Sequence, residues 1–396
     1  MITVTNTPHH FRIKQNGRLV DFMRQADVPG LINLAAGIPS PDLLPGQLLQ
    51  ECFQKAFAED GKKLFAYQAP EGDHALREIL ADRLKKRGVH VSGEDLVMTT
   101  GCSQAMHLSI SVLTQPDIIV AVECPAYYGM LELLSAAGVQ VLPLPTDVST
   151  GIDLEASMDL IDQWKPQVLV TCSSLSNPTG ATIPEDRREC FVDFCRNRGI
   201  WIIEDDIYAD LMDGEVPPPL RAYDDGSTVM YATGFSKTVA PGLRIGCSLP
   251  GKLYEMVVER KCREDIHSSV LSERMLKHYF LDDRSSKHLQ NFLEHCLRRR
   301  KIVQQTLNEH MPEGFVTSTP RGGYMLWVQL PLLYKNEDLQ IVREACLRRG
   351  VAFAHGEVFF TKKQSKQFMR LNCAKASEDD LVHGVKILGQ ELKGNL

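Results

Sequence analysis

The feature that most constrains this chain is a helix-to-strand pattern that recurs along it. A stretch with apolar residues at helical spacing ends in glycine and runs at once into a short apolar segment. Leu76, Ile79, Leu80 and Leu84 keep that spacing before Gly88, and Leu131, Leu134 and Ala137 precede Gly138 and the run VQVLPL. Cys190, Phe191, Phe194 and Cys195 share a helical face before Gly199 and IWIIEDD, and Val342, Ala345 and Cys346 precede Gly350 and VAFAHG. A glycine so placed closes a helix in the left-handed conformation that residues with a Cβ avoid. The following runs, with DIIVAVE (117–123), QVLVTCSS (167–174) and TVMYAT (228–233), are apolar at successive rather than alternate positions. Strands covered on both faces have that signature. The expected fold class is α/β, a mostly parallel central sheet with flanking helices.

From Asn291 a long charged helix, then GYMLWVQL and FMRLNCA with helices between them, predict a second, smaller α+β domain. No proline interrupts Val270 to Met311, so a helix over about 270–310 is expected to join the two, with a break at Asp282 to Ser286. The expected division is an N-terminal arm and part of the small domain over 1–45, a large domain over 46–290 and a small C-terminal domain over 291–396. A length of 396 residues suits two such units.

Charge and composition exclude several functions. With 44 basic and 50 acidic residues the net charge is −6, too mild to seek a polyanion. LRRRK at 297–301 is expected on a solvated helix face, with Ile302 and Val303 turned inward, and nucleic acid is not an expected partner. Eleven cysteines without a C-x-x-C pair are expected to be reduced and largely buried, and His9-His10 reads as a surface pair rather than a metal site. The first twenty residues lack the apolar core and cleavage site of a secretion signal, and the longest apolar runs, Ile118 to Val122 and Trp201 to Ile203, fall far short of a bilayer span. A cytoplasmic protein with no membrane partner is expected. Neither a G-x-G-x-x-G after the first strand nor a Walker-A sequence is present, against nicotinamide dehydrogenases and nucleoside triphosphatases.

Parallel sheets bind ligands outside the carboxyl ends of their strands, and four segments at such ends carry reactive residues. GFSKTVAPGLRIG (234–246) sets Lys237 between small residues, with Arg244 seven positions on. Most lysines are solvated, but one mounted at a strand end beside a second cation has the depressed pKa that a Schiff-base amine needs. EDDIYADL (204–211) brings Asp205 and Tyr208 off a strand together, an arrangement that alone could merely cap a helix. SSLSNPTG (173–180) marks a turn after another strand. TTGCSQAMHL (99–108) opens an amphipathic helix, leaving the N–H groups of Cys102, Ser103 and Gln104 for a phosphate or for an ordinary cap by Thr100 or Ser103.

In this order and at these spacings the four segments resemble the fold type I pyridoxal 5′-phosphate (PLP) enzymes of the aspartate aminotransferase class. The resemblance runs from LINLAAGIPSPDLLP (31–45) to MRLNCA (369–374). It is closest to the aminoadipate and kynurenine aminotransferases and to the aminotransferase domain of MocR-type regulators, a branch that ECPAYYG (123–129) supports. It implies that Lys237 carries PLP as a Schiff base and moves a proton between Cα and C4′, and that Asp205 keeps the pyridine nitrogen protonated. Asn177 and Tyr208 would bond the phenolic O3′, with Lys237, Asp205 and Tyr208 forming the catalytic set, and Tyr127 would stack on the ring. Cys102, Ser103, Gln104, Ser236 and Arg244 would hold the phosphate, and Tyr67 would reach it from a partner subunit. Arg370 would grip the substrate α-carboxylate, with the Gly37 backbone and Asn177 nearby, and the active sites would be shared across a homodimer.

The activity implied is transfer of the amino group of an L-amino acid to a 2-oxo acid by a ping-pong mechanism through pyridoxamine phosphate. Another PLP reaction at Cα or Cβ (β-elimination, decarboxylation or racemisation) and a non-catalytic PLP-dependent sensor are the alternatives. MocR regulators carry a winged helix, which is not seen ahead of residue 31, so a free-standing enzyme is expected. Two departures stand out: Gly234 replaces a common Ser or Thr, and Cys102-Ser103 replaces the commoner Ser-Gln. At about 1 kcal/mol per net hydrogen bond, the missing hydroxyl should weaken PLP binding by less than about tenfold. Aromatic, branched and long acidic substrates all remain open.

Overall fold

The computed structural model describes residues 18–26 and 28–394, so His9-His10 lies outside the described residues. Its larger sheet runs edge to edge through Val97–Thr99, Gly246–Leu249, Val229–Gly234, Trp201–Asp205, Val168–Thr171, Ile119–Cys124, Gln140–Asp147 and Gly151–Ile152. The five strands from Val229–Gly234 to Gln140–Asp147 are mutually parallel, and they are the continuously apolar runs. Their middles are buried on both faces, against helices such as Cys102–Leu113 on one side and Glu185–Arg196 on the other. The four helix-closing glycines, Gly88, Gly138, Gly199 and Gly350, all have φ between 67° and 82°.

The sheet also contains an antiparallel strand that its sequence, GCSL, does not announce. Gly246–Leu249 pairs antiparallel with Val229–Gly234 on one side and with Val97–Thr99 on the other. Gly234 and Gly246 face each other across that ladder. A Cβ on Gly246 would lie 2.6 Å from the Cys102 nitrogen, and one on Gly234 would lie 3.0 Å from it. Two glycines in register therefore leave the gap in which the first turn of helix Cys102–Leu113 rests on the strand ends.

The second sheet has the order Ile32–Leu34, Val351–His355, Phe368–Asn372, Met325–Gln329 and Val316–Thr317. Its edge strand Ile32–Leu34 comes from early in the chain and pairs parallel with Val351–His355. Leu34, Leu326, Val328, Met369 and Leu371 pack on Val303 and Leu307 of helix Arg284–His310 and on helix Glu378–Gly394. The joining helix is broken as expected, into Val270–Leu281 and Arg284–His310.

Two surface expectations are corrected. In LRRRK, Arg299 and Arg300 are buried rather than solvated. Helix Arg284–His310 lies against loops of both units, so these side chains meet carbonyl oxygens instead of water. Arg299 Nη1 donates to Ala374 O at 2.9 Å, and Arg300 donates to Gly323 O at 2.6 Å and pairs with Asp213. Val303 is buried as expected, while Arg298 pairs with Glu378 on the exposed face. Cys190 is exposed, not on the buried face with Phe191 and Cys195. All eleven cysteines are free and most are buried. Among the described residues there is no cluster of metal-ligating side chains, and no helix is long and apolar enough to cross a membrane.

The contrast within LRRRK is measurable. Arg300→Met strands a buried carbonyl and the carboxylate of Asp213, so it should cost about 2–3 kcal/mol, read as a lower urea midpoint. Arg298→Ala should leave that midpoint nearly unchanged.

Candidate active site

A cavity of about 670 Å³ opens at the carboxyl ends of the parallel strands, where the two sheets face each other. Asp205 ends the strand Trp201–Asp205 and lines it. One oxygen of its carboxylate, Oδ1, accepts the Ile207 N–H at 3.1 Å and the Cys102 thiol at 3.4 Å. Burial pushes this carboxyl up to about 6, against the pull of those two bonds. Lys237 follows the strand Val229–Gly234, and its Nζ donates to Gly37 O at 2.9 Å. Burial and the positive charges of Arg370 and Arg244 bring its amine down to about 8. The low dielectric thus moves both groups toward their neutral forms.

Gly37 lies in a short segment that the small sheet holds by its backbone. Asn33 Oδ1 accepts the N–H groups of Ala35 and Ala36 at 2.9 and 2.8 Å. Asn372 Nδ2 donates to Ala36 O and, at 2.8 Å, to Ile38 O. Arg370 Nη2 donates to Ala35 O, while its Nη1 donates to Asn177 Oδ1 at 2.8 Å. Asn177 Nδ2 in turn donates to the Tyr208 hydroxyl at 3.3 Å. Arg370, Asn177 and Tyr208 therefore form one buried chain, and Arg370 Nε, also buried, has no hydrogen-bond partner. Beneath it Glu123 accepts from Cys172 N–H at 3.2 Å, Ser176 Oγ at 2.8 Å and Thr171 Oγ1 at 3.2 Å, holding the turn that ends in Asn177. Burial raises Glu123 to about 7.

At the other end of the cavity, Cys102 and Ser103 begin helix Cys102–Leu113 and line the wall with Ser236 and Arg244. Arg244 donates to Ser236 Oγ at 3.1 Å and to Thr100 O at 3.4 Å. Gly101 has φ 81°, and a Cβ there would come within 2.6 Å of the Arg244 guanidinium. Tyr127 lines the cavity with its ring folded over Gly129 and 4.8 Å from that of Tyr128.

Two sequence-predicted residues lie apart from this group. The Gln104 N–H is directed to Gly101 O at 3.1 Å. Its side chain accepts from Thr100 N–H at 2.7 Å and donates to Asp265 at 2.8 Å, so it fastens the turn from outside. Tyr67 is 82% exposed, edge-on to His267, and does not line the cavity. Sequence reasoning missed Ala35, Asn33, Asn372 and Tyr324, whose hydroxyl donates to Gly37 O at 3.4 Å. The Ala35 carbonyl has no sequence signal at all; Tyr324, directly after Gly322-Gly323, had a faint one.

The family model for class I and II aminotransferases matches residues 29–388. The chain belongs to that family. It is 28% identical over 387 residues to a 2-aminoadipate transaminase of Thermus thermophilus, covering 96% of this aminotransferase and 95% of that protein. It is 26% identical over 383 residues to the uncharacterized HTH-type transcriptional regulator YjiR of Escherichia coli, covering 96% and 80%. Among solved structures, a Pyrococcus horikoshii kynurenine aminotransferase in complex with PMP superposes with a TM-score of 0.89 at 28% identity, over 97% of this chain and 96% of that one. Fold type I and PLP-dependent transamination are therefore the fold and reaction of this aminotransferase. The residues present fit the cofactor: the Gly101 backbone leaves a cradle beside Arg244, and an amine shifted down and a carboxyl shifted up line the same cavity.

The opposed shifts of Asp205 and Lys237 have a pH signature in the cofactor-free protein. Asp205 is raised in the folded state, so between about pH 4 and 6 the folded chain holds more protons than the unfolded one, and stability falls as pH rises through that window. Lys237 is lowered, so between about pH 8 and 10.5 the unfolded chain holds more protons and stability rises with pH. Both charges burden the fold together between pH 6 and 8. Asp205→Asn should therefore stabilise the cofactor-free protein by about 1–2 kcal/mol at pH 7 in thermal melts, and the gain should fade at pH 4.

Proposed function

We propose that Lys237 is the amine that carries PLP, and that this aminotransferase moves the amino group of an L-amino acid to a 2-oxo acid in two half-reactions at the cavity described. The observation that carries this is the meeting of Lys237, Asp205 and the Arg370–Asn177–Tyr208 chain around one space, with a helix N-terminus at its far end. Bound PLP supplies the electron sink for the negative charge left at the substrate Cα. Lys237, lowered to about 8, is neutral often enough near pH 7 to accept the Cα proton, and its link to Gly37 O fixes where Nζ stands. Asp205 would hold the pyridine nitrogen of bound PLP and favour its protonated form; a carboxyl raised by burial gains most from a cationic partner.

Asn177 and Tyr208 would orient the phenolic oxygen of bound PLP, and Tyr127 would pack against its ring. The N–H groups of Cys102 and Ser103, with Ser236 and Arg244, would hold the phosphate. Arg370 binds the substrate α-carboxylate from a position pinned by Ala35 O and Asn177, and its unpartnered Nε marks donor capacity still to be used.

The proposal extends to assembly and place. Tyr67, 82% exposed with Phe65 bare beside it, belongs at the phosphate of a second subunit in a homodimer with shared sites. The division is into an arm and part of the small domain over 1–45, a large domain over 46–290 and a small one over 291–396, a reading that the presence of two separate sheets supports. Eleven unpaired thiols favour a cytoplasmic location.

Lys237→Ala should lower turnover by about 10³-fold or more and abolish borohydride trapping of the cofactor, while circular dichroism shows the fold intact. Full activity in that variant would overturn the assignment. In the unaltered enzyme, amino donors added one at a time should shift the cofactor's long-wavelength absorbance band, and only donors that are substrates should do so.

A further inference from the structure

Asn177 joins Arg370 to Tyr208, and it stands on a strained turn. Leu175, two positions earlier, has φ 54°, in the left-handed region that side chains larger than glycine avoid. Its side chain is buried in the core with Tyr208 and Tyr324. A residue stays in such a conformation where its surroundings over-determine it, and an outlier of this kind beside a site motivates a search for what holds it.

Glu123 is what holds it. Val122 pairs with Val170 across two parallel strands, so Glu123 and Thr171 follow side by side at the strand ends. Glu123 is 4% exposed, and its Oε1 accepts both the Cys172 N–H at 3.2 Å and the Ser176 hydroxyl at 2.8 Å. These two donors bracket Leu175: one lies where the strand ends, the other directly before Asn177. Oε2 accepts from Thr171 Oγ1 at 3.2 Å. From the other side of the turn Arg188 donates to Ser173 O at 2.9 Å and to Ser174 Oγ at 3.0 Å. Arg188 thus anchors the first half of the turn, and the carboxylate ties that half to the residue next to Asn177.

We propose that Glu123 is a positioning residue for transamination: by bridging Cys172 and Ser176 it sets where the Asn177 amide stands. Asn177 Oδ1 accepts from Arg370 Nη1 at 2.8 Å and its Nδ2 donates to the Tyr208 hydroxyl at 3.3 Å, so a turn released from Glu123 displaces both bonds. The proposal rests on the role assigned above to Asn177 at the phenolic oxygen of PLP and extends it to a residue one layer below.

The test compares Glu123→Ala, Glu123→Gln and Asn177→Ala with the unaltered chain by two readouts: the pH midpoint of the bound cofactor's absorbance change, and the PLP dissociation constant of the cofactor-free protein. A phenolic oxygen that loses its donors holds a nearby proton more tightly. Asn177→Ala should therefore raise the midpoint by about one pH unit and weaken PLP binding by about tenfold. Glu123→Ala should raise the midpoint by about half a unit or more. Glu123→Gln should restore it, because the amide oxygen still serves Cys172 and Ser176 while the Thr171 hydroxyl turns to accept from the amide nitrogen. The double variant Glu123→Ala/Asn177→Ala should shift no further than Asn177→Ala, as expected of one residue acting through the other. Ser176→Ala, which removes one arm of the bridge, should shift the midpoint in the same direction and replaces Glu123→Ala if that variant does not fold. A midpoint that moves in Asn177→Ala but stays in place in Glu123→Ala and Ser176→Ala, with only the melting temperature lowered, would overturn the proposal and leave Asn177 its role. A midpoint unmoved in Asn177→Ala would remove the reading of Asn177 and the proposal with it.

Discussion

The structure of the site depends on a guanidinium taken wholly out of water. Arg370 has no accessible surface, and a buried cation is tolerated only where its donors are met. Its two terminal nitrogens are met by Ala35 O, before the first helix of the large unit, and by Asn177, after a central strand; the rings of Tyr128 and Phe359 flank the guanidinium, and Nε alone is left without a hydrogen-bond partner. Strand alternation makes this arrangement possible. In Phe368–Asn372, Met369 and Leu371 enter the small core while Arg370 and Asn372 turn the other way and fasten the segment 35–38. That segment presents Gly37 O to Lys237, so a cation on one sheet fixes the amine that extends from the other. A Cβ on Gly37 would approach Met325 Cε to 3.0 Å and the guanidinium nitrogens to 3.6 Å, which leaves little room for any side chain there.

The same burial governs the acid–base balance. Arg370 and Arg244 depress Lys237, but desolvation is the larger cause, and desolvation also raises Asp205. The cofactor-free cavity is thus strained electrostatically around neutral pH, with an amine and a carboxyl each pushed toward neutrality. In the proposed binding mode a protonated ring nitrogen would stand against Asp205 and a phosphate against the helix N-terminus, supplying charge that the polypeptide alone does not.

How much of this was legible in the residues follows from the range of each interaction. The parallel strands were legible because burial on both faces writes itself as a continuous apolar run, and helix ends because a left-handed turn selects glycine. Gly246–Leu249 was not, because GCSL is short and gives only Cys247 and Leu249 to the core, while Gly246 fits against the turn at Gly101-Cys102. Arg299 and Arg300 read as solvent-facing since their partners, Ala374 O and Gly323 O, are backbone atoms remote in sequence, and carbonyls carry no sequence code. Gln104 lies at the right offset from the helix start, yet the side chain prefers Asp265, a residue 161 positions away. Lys237, Asp205, Asn177 and Arg370 were found because their types and spacings resemble a known family; the contacts that hold them, through Asn33, Asn372, Glu123 and Tyr324, were not.

The two departures from the family pattern turn out to be one structural choice. Gly234 and Cys102 touch: a Cβ at 234 would lie 3.1 Å from the Cys102 Cβ and 3.0 Å from its nitrogen. A serine or threonine at 234 would press on the first turn of helix Cys102–Leu113, which would have to yield by a few tenths of an ångström. With glycine on both strands, the turn sits low enough for the Cys102 thiol to reach Asp205. The glycine at 234 and the thiol contact from Cys102 to the Asp205 carboxylate thus belong to one packing arrangement. In the proposed site, where Cys102 would meet the phosphate and Asp205 the pyridine nitrogen, a change at 102 or 234 would therefore act on both ends of the cofactor at once.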